Sequence, residues 1–96
     1  MEIGKAIKAL RLKRGISQKE LAKRVGRTET MVSLIESGKS IPQTVRVKQI
    51  SEALGVTPTY LLLYAVEKSD IPADKQVLYD TLLVPLREAL DKEGAE

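Results

Sequence analysis

Along the first 66 residues, apolar side chains recur at intervals of three and four, and a glycine or a polar turn interrupts each run after a few helical turns. This pattern allows several short amphipathic helices and little else. Ile3, Ile7 and Leu10, with Ala6 beside them, share one face of a first helix, which ends at Gly15 behind the dipole-favoured cations Lys13 and Arg14. Ser17 is an N-cap candidate with Glu20 three residues on, a spacing that predicts a reciprocal capping box. Leu21, Ala22 and Val25 supply the buried face of the second helix, and Gly26 ends it where a left-handed residue is needed. Thr28 caps a third helix, with Glu29 at its positive end and Met31, Val32 and Ile35 facing inward. Ser37 to Pro42 reads as a turn; Val47, Ile50 and Leu54 mark a fourth helix closed by Gly55. Thr57-Pro58 opens a fifth through Leu61 and Leu62.

Composition agrees with an all-α fold. The aromatic residues are three tyrosines, so the core is expected to consist of Leu, Ile, Val and Ala, and no Asn-Gly or Asp-Gly hairpin signal occurs. Cysteine and histidine are both absent. That excludes disulfides and thiolate chemistry and removes the commonest general base and metal ligand, so neither an enzyme nor a metal or cofactor site is expected. No apolar run approaches the roughly 18 residues of a membrane span, and the N-terminus lacks a secretory pattern, which predicts a cytoplasmic protein.

The net charge of +3 is unevenly divided. Residues 1–65 hold twelve Lys and Arg against five acids, whereas residues 66–96 hold four against eight. A basic body suits phosphate backbones; an acidic tail suits solvent, a partner protein or self-association. The division predicts a domain over residues 1–66 and an extension over residues 67–96.

Within the basic part, Gln18 to Ser37 forms two short helices joined at a glycine, the helix-turn-helix arrangement. Ala22 is small where the helices approach most closely, Leu21, Val25, Val32 and Ile35 are placed to hold the angle between them, and Gly26 makes the bend.

The chain resembles the phage-repressor and Cro class of helix-turn-helix transcription regulators, the XRE type, over roughly residues 3–64. The resemblance rests on Ile3-Gly4-x-x-Ile7, Leu10-Arg11, Gly15-Ile16-Ser17-Gln18-x-Glu20-Leu21-Ala22, Val25-Gly26, Ile35-Glu36-x-Gly38, Ala53-Leu54-Gly55-Val56 and Tyr60-Leu61-Leu62. It implies a compact five-helix, lambda-repressor-like domain whose third helix enters the major groove, in a repressor that binds a palindromic double-stranded DNA operator as a dimer. By the same resemblance, Thr28, Glu29, Thr30, Ser33 and Leu34 read base edges, with Ser37 a weaker candidate. Gln18, Lys39, Gln43, Thr44 and Arg46 hold phosphates, Arg27 touches a base or a phosphate, and Arg11 and Glu36 form a salt bridge that orients the reading helix. The sequence departs from expectation in one respect: the outward face of the third helix carries no Arg, Lys, Asn or Gln, so bidentate readout of guanine or adenine is missing from it.

The resemblance stops before the tail. Glu67 to Ile71 reads as a polar linker, and Pro72 opens an amphipathic segment over residues 73–93 in which Leu78, Leu82, Leu86 and Leu90 repeat every four residues, joined by Val77, Leu83 and Val84. Pro85 cannot donate to the carbonyl of Thr81, which predicts a kink or break there. The leucines are expected to mediate dimerisation. The alternative is an antitoxin or other interaction module whose amphipathic segment binds a partner protein, and packing of the tail on its own domain is left open.

Overall fold

The computed structural model describes residues 1–94, with side chains through Lys92; the last two residues of the extension lie outside the described residues. The protein is all-α, with no strand among the described residues. Five helices come first: α1 (Ile3–Lys13), α2 (Gln18–Val25), α3 (Glu29–Glu36), α4 (Thr44–Ala53) and α5 (Pro58–Ala65). Their starts follow from the capping residues. Ser17, Thr28 and Thr57 each accept a hydrogen bond from the amide three residues on, at 3.0, 3.1 and 3.1 Å, and Pro58 occupies the first turn of α5. One half of the expected capping box is absent: Glu20 turns its carboxylate to Arg24 Nε (3.2 Å), one turn along the same helix, where a cation draws it more strongly than the Ser17 amide. Gly26 takes φ 74° after α2, the left-handed conformation that makes the turn into α3.

The apolar faces converge on one core of Ala6, Ile7 and Leu10 from α1, Leu21 and Ala22 from α2, and Val32 and Ile35 from α3. Val47, Ile50 and Leu54 enter from the α4 side and Leu61 and Ala65 from α5. α1 lies against both α5 and α3, while α2 is wedged between α3 and α4. The α1–α3 contact depends on Gly4: a Cβ there would stand 2.1 Å from the backbone oxygen of Ile35, so only glycine allows the first turn of α1 to come this close to the end of α3.

The structure specifies the tail at three points. First, the expected polar linker contains a short turn. Lys68–Asp70 is a 3-10 turn in which the Asp70 side chain accepts from the Glu67 amide at 2.8 Å and the Asp70 amide donates back to the Glu67 carbonyl at 2.9 Å. Second, the α-helical register is interrupted just before Pro85, as its missing amide predicts. After a 3-10 turn at Ala73–Lys75 the chain runs through α6 (Gln76–Leu78), a π-helical turn (Tyr79–Leu83) and α7 (Val84–Gly94). The Val84 amide donates five residues back to Tyr79, which places Pro85, with no amide to donate, where the four-residue register resumes. Third, the stripe is divided. Leu78, Leu82 and Leu86 are exposed, but Leu90, one turn on from Leu86, is half-buried.

The tail's inward side is fastened to the first five helices. Arg87 Nη2 donates to the carbonyls of Leu63 (2.7 Å) and Val66 (2.5 Å) at the end of α5, and its Nη1 donates to the Tyr79 hydroxyl (3.0 Å). A cation at a helix C-terminus satisfies carbonyls that have no partner within the helix. Asp91 accepts from both Lys13 on α1 and the hydroxyl of Tyr64 on α5. Among the described residues, no helix is long and apolar enough to cross a membrane, and no group of three His, Cys, Asp or Glu residues is placed to hold a metal.

Candidate nucleic-acid interface

The burial pattern of α3 separates two faces. Val32, Ile35 and Glu36 are buried, whereas Thr28, Glu29, Thr30, Ser33, Leu34 and Ser37 are exposed. Among the described residues, neither the tail nor any other element covers this outward side, and Leu34 stands 40% exposed on it. Two of its polar groups are partly committed. Thr28 Oγ1 accepts from the Met31 amide at 3.1 Å, and the Ser37 hydroxyl donates back to the Leu34 carbonyl at 3.0 Å. Glu29, Thr30 and Ser33 are the freest polar side chains on the face.

A buried ion pair fixes how α3 sits. Arg11 and Glu36 are each 7% exposed and meet side by side: Arg11 Nε donates to Glu36 Oε2 at 2.7 Å, and Arg11 Nη2 to Oε1 at 2.9 Å. Arg11 Nη1 also donates to the Ile16 carbonyl (2.9 Å), tying the loop before α2 to the same group. The hydrogen bonds it donates to Glu36 push the Arg11 guanidinium further up from its already high pKa. Gln18 completes the cluster by donating from Nε2 to Glu36 Oε1 at 3.1 Å. Thus α1, the start of α2 and the end of α3 meet at one carboxylate. The Gln18 side-chain amide, read from the sequence as a phosphate ligand, is engaged here, while its backbone amide remains at the positive start of α2.

Cations border the exposed face. Arg27 is exposed just before α3 and lines two shallow surface grooves, one shared with Lys19 and Lys23 of α2 and one with Gln43 and Arg46 at the start of α4. Lys39, Gln43 and Thr44 are exposed; Arg46 is half-buried and donates to Gln49 Oε1 at 2.5 Å. The structure thus gathers Arg27, Gln43 and Arg46 around one groove. Lys19 and Lys23 were not singled out in the sequence, although their four-residue spacing beside the Gln18 start of α2 places them on one outer face. Ile41 and Val45, also exposed, flank the second groove.

This arrangement has an exposed helix face, a second helix start beside it, a rim of cations and a buried ion pair that sets the angle of the exposed helix. It suits a surface that lies along a polyanion. A helix-turn-helix family profile matches residues 7–61, more than half of the chain and all of α2, α3 and α4. Together, the match and the geometry make this protein a member of the helix-turn-helix family, with a helix-turn-helix domain over residues 7–61 that supports a general DNA-binding regulatory role.

Proposed function

We propose that this protein is a sequence-specific, double-stranded-DNA-binding transcription regulator of the XRE, phage-repressor-like type, a cytoplasmic repressor that occupies a palindromic operator as a dimer. The observation that carries the proposal is the bare outward face of α3, held at a fixed angle by the buried Arg11–Glu36 pair. In this reading α3 lies in the major groove. Glu29 accepts from a cytosine amino group, Thr30 and Ser33 bond base edges, Leu34 packs on a thymine methyl, and Thr28 contributes what its cap leaves free. Phosphates are held by the Gln18 backbone amide at the start of α2 and by Arg27, Lys39, Gln43, Thr44 and Arg46. Lys19 and Lys23 join them by their position beside Arg27. With no long donor on the α3 face, specificity depends more on Glu29, Thr30, Leu34 and the shape of the DNA than on bidentate contacts.

Selection from a random duplex pool, followed by a salt titration of the enriched site, tests this. The expected result is a palindrome bound with steep salt dependence. Lys19, Lys23, Arg27, Lys39 and Arg46 in each of two subunits give a slope of log K against log salt of about −9. A pool that enriches no sequence at any salt concentration refutes the proposal.

A second reading is supported by the exposed Leu78, Leu82 and Leu86. These residues give an interaction surface for another protein, as in an antitoxin that both occupies DNA and blocks its partner. The two roles are compatible, because the stripe lies apart from α3 in the chain and α3 is uncovered.

A further inference from the structure

Ile41 and Val45 are the most exposed large hydrophobic residues among those described, at 88% and 70%. They stand on the loop after α3 and in the first turn of α4, and both line the groove that holds Arg27 and Arg46. The loop holds Ile41 outward. The amides of Lys39 and Ser40 both donate to the Leu34 carbonyl, at 3.0 and 3.1 Å, and Pro42 restricts the residue before it to extended backbone. Two aliphatic side chains are thus kept in water side by side, next to a helix face that is itself uncovered.

The charge and position of the groove select what covers them. Arg27 and Arg46 are its charged residues, and among the described residues no acid lines it. A purely aliphatic partner would bury these cations without a counter-charge, which opposes binding. The groove also runs along α3: Arg27 precedes that helix, and Met31 and Ile35 line the near side. A duplex that takes α3 into its major groove has a backbone strand at that border. Such a strand alternates a phosphate with a deoxyribose whose carbon edge is apolar, and so answers both kinds of residue in the groove.

We propose that Ile41 and Val45 rest on deoxyribose sugars of the DNA strand whose phosphates Arg27 and Arg46 hold. The inference rests on the DNA-binding reading given above and adds to it a contact independent of sequence, which releases water and no counterion. This contact keeps its strength as salt rises, when the phosphate contacts weaken.

Both side chains are exposed, so Ile41→Ala and Val45→Ala are expected to leave the urea midpoint of the full-length protein unchanged. Affinity is measured over a salt series on the duplex enriched from the random pool and on an unrelated duplex. The double variant is expected to bind both about tenfold more weakly at every salt concentration, with the parent's slope of log K against log salt, because only apolar area is lost. Lys39→Ala, on the same loop, should flatten the slope, and Leu12→Ala, at an exposed leucine on α1, should change neither quantity. In a hydroxyl-radical footprint, the double variant should uncover sugars at the border of each half-site that the parent protects. Unchanged affinity overturns the proposal. So does a flattened slope or a loss confined to the enriched duplex, either of which assigns these residues to phosphates or base edges. Weaker self-association of the free double variant on sedimentation also overturns it, since a second copy then covers the groove. A parent protein that binds no duplex removes the DNA reading itself; a parent that binds DNA no better than the double variant removes this contact alone.

Discussion

Removing one partner of the Arg11–Glu36 pair should cost far more than removing both. Arg11→Met leaves the Glu36 carboxylate at 7% exposure with the Gln18 amide, at 3.1 Å, as its remaining side-chain donor from this cluster. Stranding a buried charge in this way costs about 3–5 kcal/mol. A chain of this length has a total stability of only about 5–14 kcal/mol, so the single variant keeps about 0–11 kcal/mol and reaches the edge of folding only at the low end of that range. In urea, with a slope of roughly 1.5 kcal/mol per molar, the midpoint should fall by about 2–3 M. Arg11→Met combined with Glu36→Leu removes both charges and fills the space with apolar atoms. That pair of changes should recover most of the loss, to within about 1–2 kcal/mol of the parent protein. The measurement is urea unfolding followed by circular dichroism on the parent, both single variants and the double variant, closed as a thermodynamic cycle. If Arg11→Met costs less than about 1 kcal/mol, or the double variant is as unstable as the sum of the singles, the pair is not the buried, mutually dependent group described above. The folded double variant should still bind DNA weakly, since the angle of α3 and the position of Gln18 would no longer be set by a shared carboxylate.

Other consequences can be measured in the same way. Gly4→Ala gains up to about 1 kcal/mol in helix propensity but forces a methyl to within 2.1 Å of the Ile35 oxygen; the clash should win, with a net loss of about 1–2 kcal/mol by urea midpoint, and a stabilised variant would contradict the close approach of α1 to α3. Asp91 is held below the usual carboxylate range by its hydrogen bonds from Lys13 and the Tyr64 hydroxyl, with Arg87 adding to the effect. Its contribution is therefore present above its unfolded pKa of about 3.9 and lost as pH falls through the lower folded value. Amide exchange across α7 should speed up in that acid window, and Asp91→Asn should already show the loosened tail at neutral pH. Arg87→Met removes charged hydrogen bonds to the Leu63 and Val66 carbonyls; each such bond is worth about 1.5–3 kcal/mol, so protection of α7 should fall sharply while that of α1 to α4 is kept. In DNA binding, Thr30→Ala should change the preferred site, whereas Lys39→Ala should weaken binding to all sites alike and flatten the salt slope by about 2 in a dimer. Equal losses on every sequence for both variants would undo the division into base-reading and phosphate-holding residues.

Much of this molecule could be read in the order of its residues because the controlling interactions are local. The Ser17, Thr28 and Thr57 caps, Gly26 and the three-and-four spacing of Ile7, Leu10, Val32 and Ile35 act within one or two helical turns, and each produced the expected element. The exposed side of α3 followed from the same periodicity. The Arg11–Glu36 pair, 25 residues apart, became legible only through the family resemblance. What pattern alone misjudged depended on competition between partners. Glu20 chose Arg24 over the Ser17 amide.

The sequence by itself determined five short helices and which side of each is apolar, because periodicity and capping are properties of adjacent residues. Only the tertiary structure decided that Gly4 brings α1 onto the carbonyls of α3, that Gln18 turns inward to Glu36, and that Arg87 bridges from α7 to the end of α5. Each of these depends on groups 18 to 31 residues apart meeting at distances of a few ångströms, and that requirement appears only once the helices have packed.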